Sequence, residues 1–301
     1  MSGRKLFFIL CCLVFFLALS LNFLFVYPRL KQQRVLLEEK KARWVLLRQD
    51  LLSQARDYKG KSAILVKDLK MNWEISLNKD RLFPSASLVK IPIMAAVFKA
   101  GQSGKINLES KLKLKASDKV PGSGELKNMA PGSEFTIEEL VERMIISSDN
   151  TATNMLIELL GFGFLNNSFR EFGLKKTDLV RKMMEFGGRK NGVENYTTAE
   201  DLSYILEKIY RNQLCNTFIS RKCQELLKRQ KTRDRIPALL PGHIVVAHKT
   251  GLEMKVCHDV GIVYAPQGDF LICALTRGVA NSRISKRFIS NTALKVYNYY
   301  R

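Results

Sequence analysis

Three short stretches hold residue types that can carry out acyl transfer. The first is 81–95, RLFPSASLVKIPIMA, in which Phe83-Pro84-Ser85 reads as a turn entering a helix. Ser87 then falls in the first helical turn, beside unpaired backbone N–H groups and the positive end of the dipole. Lys90, three residues on, shares its face. A serine hydroxyl becomes a good nucleophile when a base stands next to it. A lysine can be that base if burial or a neighbouring positive charge lowers its pKa. The second stretch, Ser148-Asp149-Asn150, adds a further hydroxyl and an amide, and the third, Lys249-Thr250-Gly251, adds a cation and a hydroxyl for binding an anion. Alone, each spacing is common; S-x-x-K by itself reads as a helix cap with a surface lysine.

In this order, S-x-x-K, S-D-N and K-T-G form the signature set of class A β-lactamases and penicillin-binding proteins. The sequence resembles a class A-like serine β-lactamase from about Trp44 to the C-terminus, including VPGSGEL at 120–126, NYTTAEDL at 195–202 and HDVGIVYAP at 258–266. The resemblance implies roles for the matching residues. Ser87 is the nucleophile, Lys90 its base, and Ser148 the proton relay to the departing nitrogen. Asn150 holds the substrate's side-chain amide, and Lys249 and Thr250 bind its carboxylate beside Gly251. The Ser87 and Leu252 N–H groups form the oxyanion hole. Family members also place a glutamate followed by leucine-asparagine on a loop, to activate the water that releases the acyl group. Here Glu185 falls at about that place, but Phe186-Gly187-Gly188-Arg189 follows, so fast deacylation is in question; Glu194 is the second candidate. Three readings follow: β-lactam hydrolysis, a DD-peptidase or related wall hydrolase acting on peptidoglycan stems, and a sensor that acylates and stops.

Several elements must position these groups. Residues 62–68 and 73–77 read as a hairpin, and 243–252, 259–264 and 270–276 as three antiparallel strands. Between them lie helices: one after Ser87, one capped by Thr136 with Glu139 completing a capping box, one over 151–160 ended by Gly161, and one over 200–211. A last helix spans 284–300. Strands at both ends and helices in the middle predict an α+β fold, in which an antiparallel sheet from the terminal segments is flanked by helices beside a central all-α lobe.

Residues 6–27 are almost wholly apolar and about long enough to cross a bilayer. The predicted organisation is therefore a signal-anchor or signal peptide at 1–28, a basic juxtamembrane helix or linker at 29–43, and a catalytic domain at 44–301. Cleavage after Ala18-Leu19-Ser20 is the alternative to an anchor. The basic residues from Arg29 to Arg43 argue for a cytoplasmic flank, although long domains translocate largely regardless of flanking charge. The expected location is the cell membrane, single-pass with the domain outside it, or secreted or periplasmic where the leader is cleaved. A net charge of +21 over 301 residues raises the question of nucleic acid, yet no such motif appears and the lysines are dispersed. Anionic lipid, wall polymer and carboxylate-bearing substrates fit a basic exported protein better. The three histidines lack metal-site spacing, no G-x-S-x-G elbow occurs and no C-x-x-C pair is present, so no metal or cofactor is expected. A disulfide among Cys215, Cys223, Cys257 and Cys273 stays open.

Overall fold

The computed structural model describes residues 3–301, apart from the side chains at 189 and 190. Met1 and Ser2 of the leader lie outside the described residues. The chain divides into two compact units, one reaching Asp50 and the other running Leu51–Arg301.

From Gly3 onward the N-terminal segment is helical to Asp57. Helix α1 (Gly3–Leu21), a π-helical turn (Asn22–Val26) and α2 (Tyr27–Asp57) form one helix of 55 residues, long and apolar enough at its start to cross a membrane. The helical assignment continues past Pro28. The wider π turn just before it relieves the clash a proline ring makes with the carbonyl four residues earlier.

The second unit is built on a five-stranded antiparallel sheet. Its strands are β1 (Lys61–Asp68), β2 (Glu74–Leu77), β7 (Val245–Glu253), β8 (Val256–Tyr264) and β9 (Phe270–Arg277), in the order β2-β1-β9-β8-β7. The N-terminal hairpin therefore joins the C-terminal meander through β1 and β9, and β7 is an edge. Between β2 and β7 run the short strands β3 (Phe83–Pro84), β4 (Lys111–Lys113), β5 (Glu134–Thr136) and β6 (Tyr196–Thr197). The helices there are α3 (Lys90–Gln102), α4 (Ile137–Ile146), α5 (Asn150–Glu171), α6 (Ala199–Tyr210) and α7 (Thr217–Lys228); α8 (Ser282–Tyr299) follows the sheet. The α+β architecture is as expected.

Helix α3 is buried on every side, with Ile91, Ile93, Met94, Val97 and Phe98 all in the core. Each such side chain is worth about 1.5–3 kcal/mol on burial, so α3 is a fixed post rather than a surface helix. Thr136 and Glu139 form the anticipated capping box on α4. Gly161 does break α5, at φ 76° and ψ 152°, but the chain resumes helical geometry and continues to Glu171. Lys111–Lys113 pairs with Glu134–Thr136 as β4 and β5, with Lys111 and Lys113 exposed and Leu112 half-buried. All six cysteines are free.

Candidate active site

Ser87 sits in a 3-10 turn, Ala86–Val89, that leads directly into α3. Ala86 is held at φ +45°, a strained geometry for a residue with a Cβ. Neighbouring contacts hold that geometry in place. On one side, Ser85 N donates to Asn195 O (2.7 Å) and Pro84 pairs with Tyr196. On the other, buried His258 accepts from Thr276 N at Nδ1 (3.0 Å) and so donates from Nε2 to Pro84 O (2.9 Å). Burial pushes the His258 imidazole down to about 4, which keeps it neutral in this bolting role. Gly251 completes the seat: a Cβ there would lie 3.2 Å from Ala86 Cβ and 3.3 Å from Leu88 Cγ, so a side chain would press β7 against the turn.

Behind Ser87 two lysines, each fully buried, converge on one hydroxyl. Lys90 Nζ donates to Ser148 O (2.8 Å) and Asn150 Oδ1 (2.8 Å), and lies 3.2 Å from Ser148 Oγ. Lys249 Nζ donates to the same Ser148 Oγ (3.0 Å) and to Thr250 O (3.0 Å). Burial first, and the Lys249 charge second, hold the Lys90 ammonium well below its ordinary pKa. A neutral Lys90 spends both N–H bonds on Ser148 O and Asn150 Oδ1, which leaves its lone pair to take a proton. Burial, and then the Arg235 charge, bring Lys249 down to about 7, with Asp259 opposing.

Asp149, between the two polar motif residues, does structural work. It caps α5 by accepting from Ala152 N (2.9 Å), and its other oxygen accepts from Glu125 N (2.7 Å) and Leu126 N (2.9 Å). The glycine turn at 120–126 is thereby fastened to the start of α5. Gly124, at φ +106°, could carry no side chain there, since a Cβ would fall 2.2 Å from the Asp149 carboxylate. Ser148 itself is at φ +58°.

These pieces surround a cleft of about 620 Å³ lined by Ser87, Gly122, Ser123, Asn150, Met183, Met184, Phe186, Leu252, Glu253 and Met254. Ser87, Lys90, Ser148, Asn150, Lys249, Thr250, Gly251 and Leu252 all lie at or directly behind it. Glu185 does not. The loop turns Met183, Met184 and Phe186 into the cleft, with Met184 at φ +70°, while the exposed Glu185 accepts from Lys182 N at 3.2 Å. Its neighbours in sequence reach the cleft, so spacing alone misplaces it. Glu194 is buried but committed: its Oε1 accepts from Arg181 Nε (3.0 Å), Arg181 Nη2 (2.6 Å) and Asn195 N (2.8 Å).

Reading the motifs left three charged residues unnoticed. Arg181 also donates from Nη2 to Glu253 Oε1 (3.3 Å), tying the loop to the end of β7. Arg235, almost wholly buried, donates from Nε to Cys257 Sγ (3.2 Å) and depresses Lys249. Glu253 lines the cleft. Its place two residues after the third motif was the available signal; burial of the two arginines has none in sequence.

Residues 46–300 match the model of the β-lactamase enzyme family. The chain belongs to that family. It is 27% identical over 247 residues to β-lactamase VEB-1 of Pseudomonas aeruginosa, covering 75% of this chain and 81% of that one. The fold superposes on a β-lactamase from Sphaerobacter thermophilus DSM 20745 with TM-score 0.78 and 28% identity, over 84% of this chain and 96% of the other. It superposes equally on PBP-A (TM-score 0.78, 28% identity, 84% and 94% covered), of which a mutant is known as an acyl-enzyme with penicillin G.

Proposed function

We propose that the protein hydrolyses β-lactams through an acyl-enzyme on Ser87. Lys90 takes the Ser87 proton as Oγ attacks the lactam carbonyl. The N–H groups of Ser87 and Leu252, the latter on the open edge of β7, stabilise the oxyanion; one such donor is worth about 3–4 kcal/mol. Ser148 passes a proton to the departing nitrogen, Asn150 holds the acyl side-chain amide, and Lys249 and Thr250 hold the carboxylate. The observation that carries this reading is the pair of buried lysines sharing Ser148 Oγ one helical turn from Ser87. No surface lysine would need such a partner, and burial is what makes an amine a base at neutral pH.

One observation favours a slower enzyme. The loop carboxylate expected to activate the deacylating water faces solvent, and methionines occupy the cleft instead. A penicillin-binding peptidase or sensor uses the same acylation with a longer-lived adduct. The apolar N-terminal helix supports, under either reading, a domain on the outer side of the cytoplasmic membrane, where peptidoglycan and its mimics are found; the basic flank at 29–43 by itself favours the opposite side. Full-length protein in detergent, given a chromogenic cephalosporin and followed by absorbance and intact mass, tests the proposal. Steady turnover with a transient adduct on Ser87 is expected. Absence of any adduct, or one that survives Ser87→Ala, ends it.

A further inference from the structure

We infer that Glu253, from the end of β7 rather than from the loop, is the general base that activates the deacylating water. This inference rests on the acyl-enzyme reading above. Among the described residues lining the Ser87 cleft, Glu253 is the one acid. Its direction follows from strand geometry. Side chains alternate faces along a strand, so Glu253 shares a face with Gly251. That face packs on the nucleophile's turn, because the Gly251 Cβ position lies against Ala86 and Leu88. Glu253 thus projects past the turn toward the loop, where Arg181 meets it at 3.3 Å.

The surroundings hold the carboxylate in place. The Glu253 side chain is only 9% exposed, and its Oε1 accepts from Arg181 Nη2 at 3.3 Å. Its charge also reaches Lys90, whose ammonium it favours against burial. None of the other acids considered lines the cleft: Glu194 receives three donors on one oxygen, Asp149 caps α5, and Glu185 is in solvent.

In the step, Glu253 takes a proton from a water molecule as the water oxygen bonds to the ester carbonyl carbon. The resulting oxyanion collapses, the bond from that carbon to Ser87 Oγ breaks, and Ser87 Oγ receives the proton held by Glu253. Ester and water become carboxylic acid and serine. The loop carboxylate is not needed.

The test measures acylation and deacylation separately on full-length protein in detergent, by intact mass after a pulse of penicillin G. Wild type, Glu253→Gln, Glu253→Asp, Glu185→Gln and Ser87→Ala are compared. A general base contributes about 10²–10⁴-fold, so the Glu253→Gln adduct should persist at least about 100-fold longer than wild type, with acylation within about threefold. Glu253→Asp, which keeps the base at a shorter reach, should fall between them, and Glu185→Gln should match wild type. An unchanged adduct lifetime in Glu253→Gln overturns the inference while leaving Ser87 acylation standing. So does a wild-type adduct as durable as the variant's, or a parallel fall in both steps. A slowed release in Glu185→Gln returns the role to the loop. Failure of wild type to form any adduct removes the acyl-enzyme reading and this inference together.

Discussion

Replacing Arg181 with methionine should destabilise the domain far more than a surface ion pair would. Arg181 is 4% exposed, and its partners Glu194 and Glu253 are 3% and 9% exposed. Methionine roughly fills the space, so the change isolates charge from volume. Four hydrogen bonds disappear: two to Glu194, one to Glu253 and one to Lys182 O (3.2 Å). Adding them at face value overstates the loss, since forming the network already cost the desolvation of three ions. What decides the outcome is what is left behind, two buried carboxylates that have both lost the Arg181 guanidinium. Breaking a buried pair in this way costs about 3–5 kcal/mol. For a domain of this size that corresponds to a melting temperature lower by about 6–20 °C. Thermal unfolding of the full-length protein, followed by tryptophan fluorescence, reads it directly. Arg181→Met with Glu194→Gln should recover part of the loss, since the amide carries no charge to strand. A drop under about 2 °C in the single variant would refute the view that this arginine holds the loop to β7.

Further outcomes follow from the same geometry. Ser87→Ala should abolish covalent labelling by penicillin while leaving the melting temperature within a few degrees of wild type. The Lys249 ammonium is brought down to about 7, so its carboxylate-binding charge is present below that pH and lost above it. The alkaline limb of kcat/KM should therefore begin near pH 7 and arise mainly in KM, as pH-resolved kinetics would show. For stability the sign is opposite: the folded-state pKa lies below the unfolded one, so the unfolded chain holds more protons between about 7 and 10, and Lys249 should make unfolding free energy rise with pH across that window. A reporter fused after Arg301 should be active only outside the cytoplasmic membrane; activity confined to the cytoplasm would contradict the proposed orientation.

Much of this was legible in residue order. Ser87, Lys90, Ser148 and Lys249 came from motifs whose spacing is local, and the sheet strands from alternation and turns, both properties a short window contains. The capping box of α4 was readable for the same reason. Glu185 was not, because the direction of a loop side chain depends on a backbone such as that of Met184, at positive φ, which no periodicity announces. Arg181, Arg235 and Glu253 were missed for a related reason. In sequence an arginine looks solvated, and only the fold puts Arg181 between two acids from segments about 60 residues apart. The second half of α5 was hidden by Gly161, a residue that ends most helices and here only bends the path.

The cleft wall has one more consequence. Met183, Met184 and Met254 face the space where an acyl side chain must lie, beside Phe186 and Leu252. Thioether chains are unbranched and polarisable, and they repack around differently shaped apolar groups at little cost. A wall of this kind grips by shape-tolerant dispersion and offers few fixed donors with which to reject a misfit. With the roles proposed above for Asn150 and Lys249, discrimination between ligands falls to the polar end of the cleft, and the apolar end tolerates varied shapes.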